Sequence, residues 1–463
     1  MVTVRPQQLE NIIYSAKQNH CPFSVPPLKE YKAIIGSERS DKLERIAGLL
    51  GGKRILEINA TAQGGGVAEM LYSSIPFLNM LGIETEWRII HGNKEYFECT
   101  KALHNLLQGM RGEFTPAMEN IYFQTLEDCF RDCIADYSPD IVMIHDPQPL
   151  GMARFFRKED QTWLWRCHID IEEAALDGNL TLWDFVTRWV GQYDAAIFSA
   201  AHYVVWHWPF PKFIIPPFID PLSEKNRELT DAEISGVLSK YEIDPAVPTI
   251  AQIGRFDPWK GIDRTVATYR LVKERMDCQL VLAGGFASDD PEAERILSKL
   301  YDDTKADKGI HILNLPLGDR ENNWMEVNAL QRSADVIMQP STKEGFGLVI
   351  TEALWKGKPV IGANVGAIAY QIRDGYNGYF FSSPKETADL VMHLLEDEQV
   401  AGIVGQRGRN YVKDHFLLPD RIADMLMAIG MTMRNNGKFE VPSDSIISFH
   451  PWAKLSKWGN GTC

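Results

Sequence analysis

The chain lacks three things: a cysteine framework, an excess of positive charge, and any long apolar run. Its seven cysteines are scattered over 463 residues and form no Cys-x-x-Cys pair. Cys129 and Cys133 sit four apart in a helix-like stretch, but no second pair or pair of histidines completes a zinc site. A disulfide-stapled fold is therefore excluded, and reduced thiols in a cytoplasmic enzyme are the expectation. No segment approaches the ~20 apolar residues of a membrane span, and residues 1–19 are polar with no signal-like core. The net charge of −14, from 48 basic and 62 acidic residues, argues against nucleic acid or an anionic membrane as the main partner. No Asp-x-Asp stands at the end of an apolar run. Asp289-Asp290 and Asp302-Asp303 lie in polar surroundings, and we expect neither a metal nor another cofactor.

What is present is ordinary for a globular protein: 45% hydrophobic and 24% charged residues. The length implies two to three domains. Short apolar runs alternate with amphipathic helical spacing along most of the chain. In the first half the runs are residues 54–59, 85–90, 140–147, 163–170 and 194–199. Prolines at 209, 211, 216, 217 and 221 then break the rhythm and mark a linker. It restarts with runs at 249–254, 279–283, 310–313, 334–338, 358–362 and 378–381. Strands alternating with helices imply parallel sheets that take ligands at their carboxyl ends. Two α/β sheets joined by a linker imply two domains facing across a cleft.

The most informative stretch is residues 340–352, Pro-Ser-Thr-Lys-Glu-Gly-Phe-Gly-Leu-Val-Ile-Thr-Glu. It reads as a turn from strand to helix. Gly345 and Gly347 let backbone approach a ligand closely, with Phe346 between them. The amides of Leu348 and Val349 head a new helix and form a natural anion site. Glu344 and Glu352 flank it, which suits a ligand with an anionic end and a hydroxyl-rich end. A nucleotide sugar has that form.

Other strand ends add to it. Arg255 and Lys260, five apart around a turn, can grip a diphosphate, Arg as a fork and Lys as a point charge. A glycine-rich loop, Gln63-Gly64-Gly65-Gly66, follows the first strand; a ligand loop and a tight packing turn are both open there. It is not a Gly-x-Gly-x-x-Gly dinucleotide loop. His145, Asp146 and His168 stand at the ends of two strands, and Gly285 with Phe286 ends another.

The second half resembles the retaining GT-B glycosyltransferases of family 4, on the turn Gly254-Arg255-Phe256 to Gly261 and on the Glu344-x7-Glu352 stretch. The first half resembles nucleotide-sugar-dependent trehalose synthases and trehalose phosphorylases. The matching segments are residues 63–70, 145–149, 165–170 and 216–223. The resemblance implies two Rossmann-like domains facing across a cleft, the GT-B arrangement. Residues 1–215 would be an acceptor domain with a helical lead-in, 216–436 the donor domain, and 437–463 a tail returning to the first domain, with Trp452 and Trp458 packed on it. It also implies roles. Glu344 would face the donor sugar and Glu352 the ribose. Arg255 and Lys260 would bind the diphosphate. Gly285, Phe286, Asn314 and Leu315 would border the base, and Gly65 and Gly66 would approach the donor from the other domain. His168 would contact the donor sugar and help the acceptor side, while Asp146, with His145 and Gln63, would meet the acceptor. The implied reaction moves an α-glucosyl group from UDP- or ADP-glucose to a small sugar or polyol, glucose giving trehalose first. Trehalose phosphorolysis and transfer to glycerol or glycerate remain alternatives. So do a nucleotide-sugar epimerase and a non-catalytic sugar sensor. Oligomeric state is open, a homodimer included.

Overall fold

The structure, a computed structural model, describes residues 25–62, 65–171, 180–208, 210–285, 291–315, 320–433 and 446–449. By backbone contacts the chain divides into two units. The first holds residues up to Pro217 and from Pro419 onward; the second is Phe218–Leu418. Each contains a parallel sheet.

The strands of the first unit are β1 (Arg54–Asn59), β2 (Glu84–Ile89), β3 (Ile141–His145), β4 (Thr162–Cys167), β5 (Ala195–Phe198) and β6 (Lys212–Ile214). In the second unit lie β7 (Thr249–Ile253), β8 (Gln279–Gly284), β9 (Ile310–Asn314), β10 (Val336–Gln339), β11 (Val360–Gly362) and β12 (Tyr379–Phe380). The last strand, β13 (Ile446–Ser448), returns to the first sheet, whose order is β13-β6-β5-β4-β3-β1-β2. The second sheet runs β12-β11-β10-β7-β8-β9. The ladders of both sheets are parallel.

Most of the strands read as largely apolar runs because helices cover both faces of such sheets. Strand β4 is the extreme case: Trp163 and Trp165 are fully buried in it. Trp165 packs edge-on against Trp208 and Phe198. In the second unit Ile250, Leu280, Leu282, Val336 and Met338 belong to one core cluster with Val266, Tyr269 and Val391 from the covering helices.

The proline-rich stretch does more than link. Its middle, between Pro211 and Pro216, is strand β6, and β13 pairs with it residue for residue. Proline is tolerated there because it flanks the strand; the Pro211 carbonyl still accepts the Ala196 amide at 3.0 Å. The chain re-enters the first unit at Pro419, within helix Leu418–Thr432, whereas the sequence reading begins the returning tail at 437. That helix is apolar and buries Ile422, Leu426 and Ile429. Its periodicity resembles that of any covering helix, so sequence does not reveal which sheet it covers. Trp452 and Trp458 lie outside the described residues.

Two glycines control how the second sheet ends. A Cβ on Gly284 would lie 1.8 Å from the Gly254 carbonyl oxygen, and one on Gly261 2.2 Å from that of Pro340. The ends of β7, β8 and β10 are thus drawn together backbone against backbone. Gly284→Ala is expected to destabilise the protein by at least about 2 kcal/mol, because neither backbone can yield. Gly402→Ala, in an exposed helix position with nothing within 4 Å, should instead stabilise by up to about 1 kcal/mol. Denaturant midpoints of the two variants, measured side by side, check the contrast.

Candidate active site

In each unit the polar side chains gather at the carboxyl ends of the strands. Strands β7 and β10 are neighbours in the second sheet, so the loops that follow them meet. The Thr342 amide donates to the Trp259 carbonyl at 2.7 Å, tying one loop to the other. Across this seam Lys260 Nζ meets Glu344 Oε2 at 2.5 Å, with both side chains mostly buried. Ser341 Oγ donates to the same carboxylate oxygen at 3.3 Å. Gln252, inside β7, holds the Lys260 carbonyl through Nε2 at 2.7 Å. Arg255 is more than half exposed, and its guanidinium lies 3.4 Å from Asp257. Asp257 in turn caps the short turn Pro258–Lys260 by accepting from the Trp259 amide at 2.9 Å.

Helix Leu348–Trp355 begins at Gly347, which has φ 82° and offers no side-chain cap. The left-handed backbone requires glycine. A Cβ there would also lie 3.2 Å from Glu344 Cγ. The helix therefore starts at a residue without a side chain of its own, following the loop that carries Glu344. Gln371 fixes the turn: its Nε2 donates to the Phe346 carbonyl, and its Oε1 accepts from Thr351 at 2.6 Å. Glu352 is fully buried about one turn along this helix. Lys225 pairs with it at 2.8 Å and Gln331 donates to it at 3.2 Å. Lys225 and Gln331 lie in segments whose sequence carries no ligand signal; only the charge burial of Glu352 calls for partners there.

Asn314 is exposed at the end of β9, while Leu315 is buried and its amide donates to the Gly284 carbonyl at 2.7 Å. Gly285 follows β8 directly and is buried. Phe286 and Gln63 lie outside the described residues. In the first unit Gly65 precedes helix Gly66–Met80 without a side-chain cap, and a Cβ at Gly65 would meet nothing within 4 Å.

The first unit's strand ends carry a second cluster. His145 Nδ1 lies 2.9 Å from His168 Nε2, and the two rings lie edge to edge, 8° from parallel, with centroids 5.2 Å apart. His145 Nε2 is hydrogen-bonded to Glu57, a fully buried carboxylate in the middle of β1. Register explains the meeting. Glu57 pairs with Met143, two before His145, and His145 pairs with Arg166, two before His168. A period of two puts all four on one face of the sheet. Glu57 and Arg166 were not singled out from the sequence, although charges inside buried strands are a usable signal.

Asp146 adopts φ 64°, and its Oδ1 accepts the His168 amide at 2.8 Å. One oxygen of the side chain expected at the acceptor thus positions His168. Burial raises the Asp146 carboxyl to about 7, with the His168 amide and Arg166 acting against it. Arg166 is pulled down to about 10 by burial, while the carboxylates of Glu57 and Asp146 hold its charge. Burial, then the nearby Arg166 and His145, hold the His168 imidazole well below its ordinary value, so it is neutral near pH 7. Among the described residues no group of three or more His, Cys, Asp or Glu is placed to hold a metal ion, and no helix is long and apolar enough to cross a membrane.

The comparisons with known proteins agree with this layout. Residues 57–205 match the family described as trehalose synthase, N-terminal domain, and residues 238–411 match glycosyl transferases group 1. A trehalose synthase of Pyrococcus horikoshii is 40% identical over 410 residues, spanning 87% of this chain and 96% of the relative. A trehalose phosphorylase of Grifola frondosa is 28% identical over 439 residues, covering 84% of this chain and 59% of the relative. Among solved structures, a UDP-forming trehalose-phosphate synthase from Burkholderia xenovorans superposes with TM-score 0.64 at 13% identity, over 83% of this chain and 99% of that one. That likeness shows the GT-B fold.

The raised Asp146 sets a pH dependence of stability. Between about 3.8 and about 7 the folded chain holds a proton that the unfolded chain has released. Stability from this group is therefore greatest below that window and falls as pH rises through it. Asp146→Asn keeps the acceptor for the His168 amide and removes the charge. It is expected to flatten the decline and to be more stable than the parent at pH 8, by up to roughly 4 kcal/mol. Chemical denaturation at pH 5 and pH 8 checks it; a variant weaker at both values would remove the buried-charge account.

Proposed function

The chain belongs to the trehalose synthase family of GT-B glycosyltransferases, and from that premise we propose that it is a retaining glucosyltransferase using a nucleoside-diphosphate glucose. The observation that carries this reading is the Lys260–Glu344 pair beside the open, glycine-headed start of helix Leu348–Trp355, with Arg255 at the same end of β7. Two cations and the first amides of a helix suit a leaving diphosphate. We assign the metal-independent stabilisation of that group to them. Glu344, held by Lys260 and Ser341, presents a carboxylate to the donor sugar's hydroxyls. Gly345, Phe346, Leu348 and Val349 line the turn, and Gly285, Asn314 and Leu315 border the base. A ribose hydroxyl reaching Glu352 would take the place of Lys225. Gly65 and Gly66 approach the donor, and His168 and Asp146 serve the sugar hydroxyls; His145, expected at the acceptor, is buried with both ring nitrogens engaged by Glu57 and His168 and supports them from behind. The reading sets the reaction in the cytoplasm, with Cys99, Cys129, Cys167 and Cys278 as free buried thiols.

In the transfer the bond between the anomeric carbon and the diphosphate oxygen breaks. The acceptor hydroxyl attacks from the same face, and its proton passes to the departing phosphate oxygen. Configuration is retained without a protein nucleophile. A glycosidase would instead need two carboxylates available across the scissile bond. Here Glu344 is engaged by Lys260 and Glu352 by Lys225. Positioning and electrostatics supply the rate. Glucose is the proposed acceptor, giving trehalose. The phosphorylase relative supports a second reading, in which phosphate cleaves trehalose with the same groups.

Arg255→Ala and Lys260→Ala are each expected to lower kcat at least about tenfold by removing one charge from the leaving group. Steady-state rates near the parent's in either variant would withdraw the diphosphate assignment. The deciding experiment offers UDP-, ADP- and GDP-glucose against glucose, glycerol, glycerate and phosphate, and reads product stereochemistry by NMR. An inverted product would overturn the retaining mechanism. Sugar conversion without an acceptor would favour an epimerase, and phosphorolysis of trehalose alone would favour the second reading.

A further inference from the structure

The hydrogen-bonded row Glu57, His145, His168 has a direction. Glu57 is a carboxylate in the centre of a parallel sheet, with the Arg166 charge on the same face. It can only accept, so His145 Nε2 carries a proton and donates. With a single ring proton, placed on Nε2, His145 then has a bare Nδ1. That atom faces His168 Nε2 at 2.9 Å and must receive its proton. His168 is left with a bare Nδ1. Its backbone is held separately, by Asp146 Oδ1 on the amide, and the in-plane hydrogen bond between the two nearly coplanar rings fixes the orientation of its imidazole.

We propose that Glu57 and His145 are positioning residues that lock His168 in the Nε2–H tautomer, so that it offers Nδ1 as a hydrogen-bond acceptor to a sugar hydroxyl. The inference rests on the reading that places His168 at the sugar. A histidine free to exchange tautomers would present a donor for part of the time and repel the hydroxyl proton. Fixing the acceptor form makes His168 selective for an O–H group in one orientation. This is the second-partner logic by which a carboxylate sets which nitrogen of an imidazole is available.

Three variants test it. His145→Phe keeps an aromatic ring at the position and removes the acceptor. His145→Asn places its Oδ1 where Nδ1 stood, so it can still accept from His168. Glu57→Leu leaves His145 nothing to donate to. Long-range 15N–1H NMR of histidine-labelled protein, with His168 assigned by its loss in His168→Gln, reads the tautomer without substrate. The parent and His145→Asn are expected to show His168 protonated on Nε2 alone. His145→Phe and Glu57→Leu should show both nitrogens averaged. In the glucosyl-transfer assay kcat should fall at least about tenfold in His145→Phe and recover most of that loss in His145→Asn, with donor KM changing less. A parent His168 protonated on Nδ1 or averaged would overturn the proposal. So would an unchanged tautomer in His145→Phe, and an unchanged one in Glu57→Leu would remove Glu57 from it. If no donor and acceptor pair gives turnover, the transferase reading fails while the NMR result still decides the tautomer.

Discussion

A charge taken into a parallel sheet must find an opposite charge or a hydrogen bond close by, since the helices on both faces keep water away. That constraint organises each unit. Glu57 and Arg166 stand in the middle and near the end of buried strands, and the chain answers them with His145 and Asp146. Glu352 is buried in a helix and is met by Lys225 and Gln331. Lys260 and Glu344 close the seam between two neighbouring strand ends. None of these pairs is needed for stability in the way the apolar core is, because replacing a buried ion pair by apolar residues is often neutral. Their value is that they hold polar atoms at fixed places on the rim where ligands bind.

The two rims differ in character. The second unit's rim is cationic and backbone-rich: an exposed Arg255, a lysine held by a glutamate, and a helix start opened by glycine. It suits an anionic group that arrives and departs. The first unit's rim is a row of neutral and nearly neutral polar groups pinned by hydrogen bonds, with Asp146 near 7 and His168 uncharged. It suits hydroxyls, whose recognition depends on which atom donates and which accepts rather than on net charge.

Much of this was legible in the residues themselves. The strand runs from 54–59 to 378–381 correspond to strands of the structure, with ends shifted by at most three residues. The turn at 340–352 became the strand-to-helix corner its glycines required. The alternation is a local property, since a buried strand needs an apolar run and a helix start needs a residue that tolerates its backbone. Strand β6 was hidden because prolines on both sides of three residues look like a linker, and only pairing with β5 and β13 shows otherwise.

By itself the sequence determined most of the elements, their parallel arrangement and the candidates Arg255, Lys260, Glu344, His145, Asp146 and His168. The reason is that apolar periodicity and turn chemistry act over a few residues. Only the tertiary structure decided who meets whom. Lys260 finds Glu344, 84 positions away, because β7 and β10 are neighbours. Glu57 finds His145, 88 positions away, because β1 lies beside β3 in a register that puts both side chains on one face. Strand order and register follow from the packing of the whole sheet, and no short window of residues contains them.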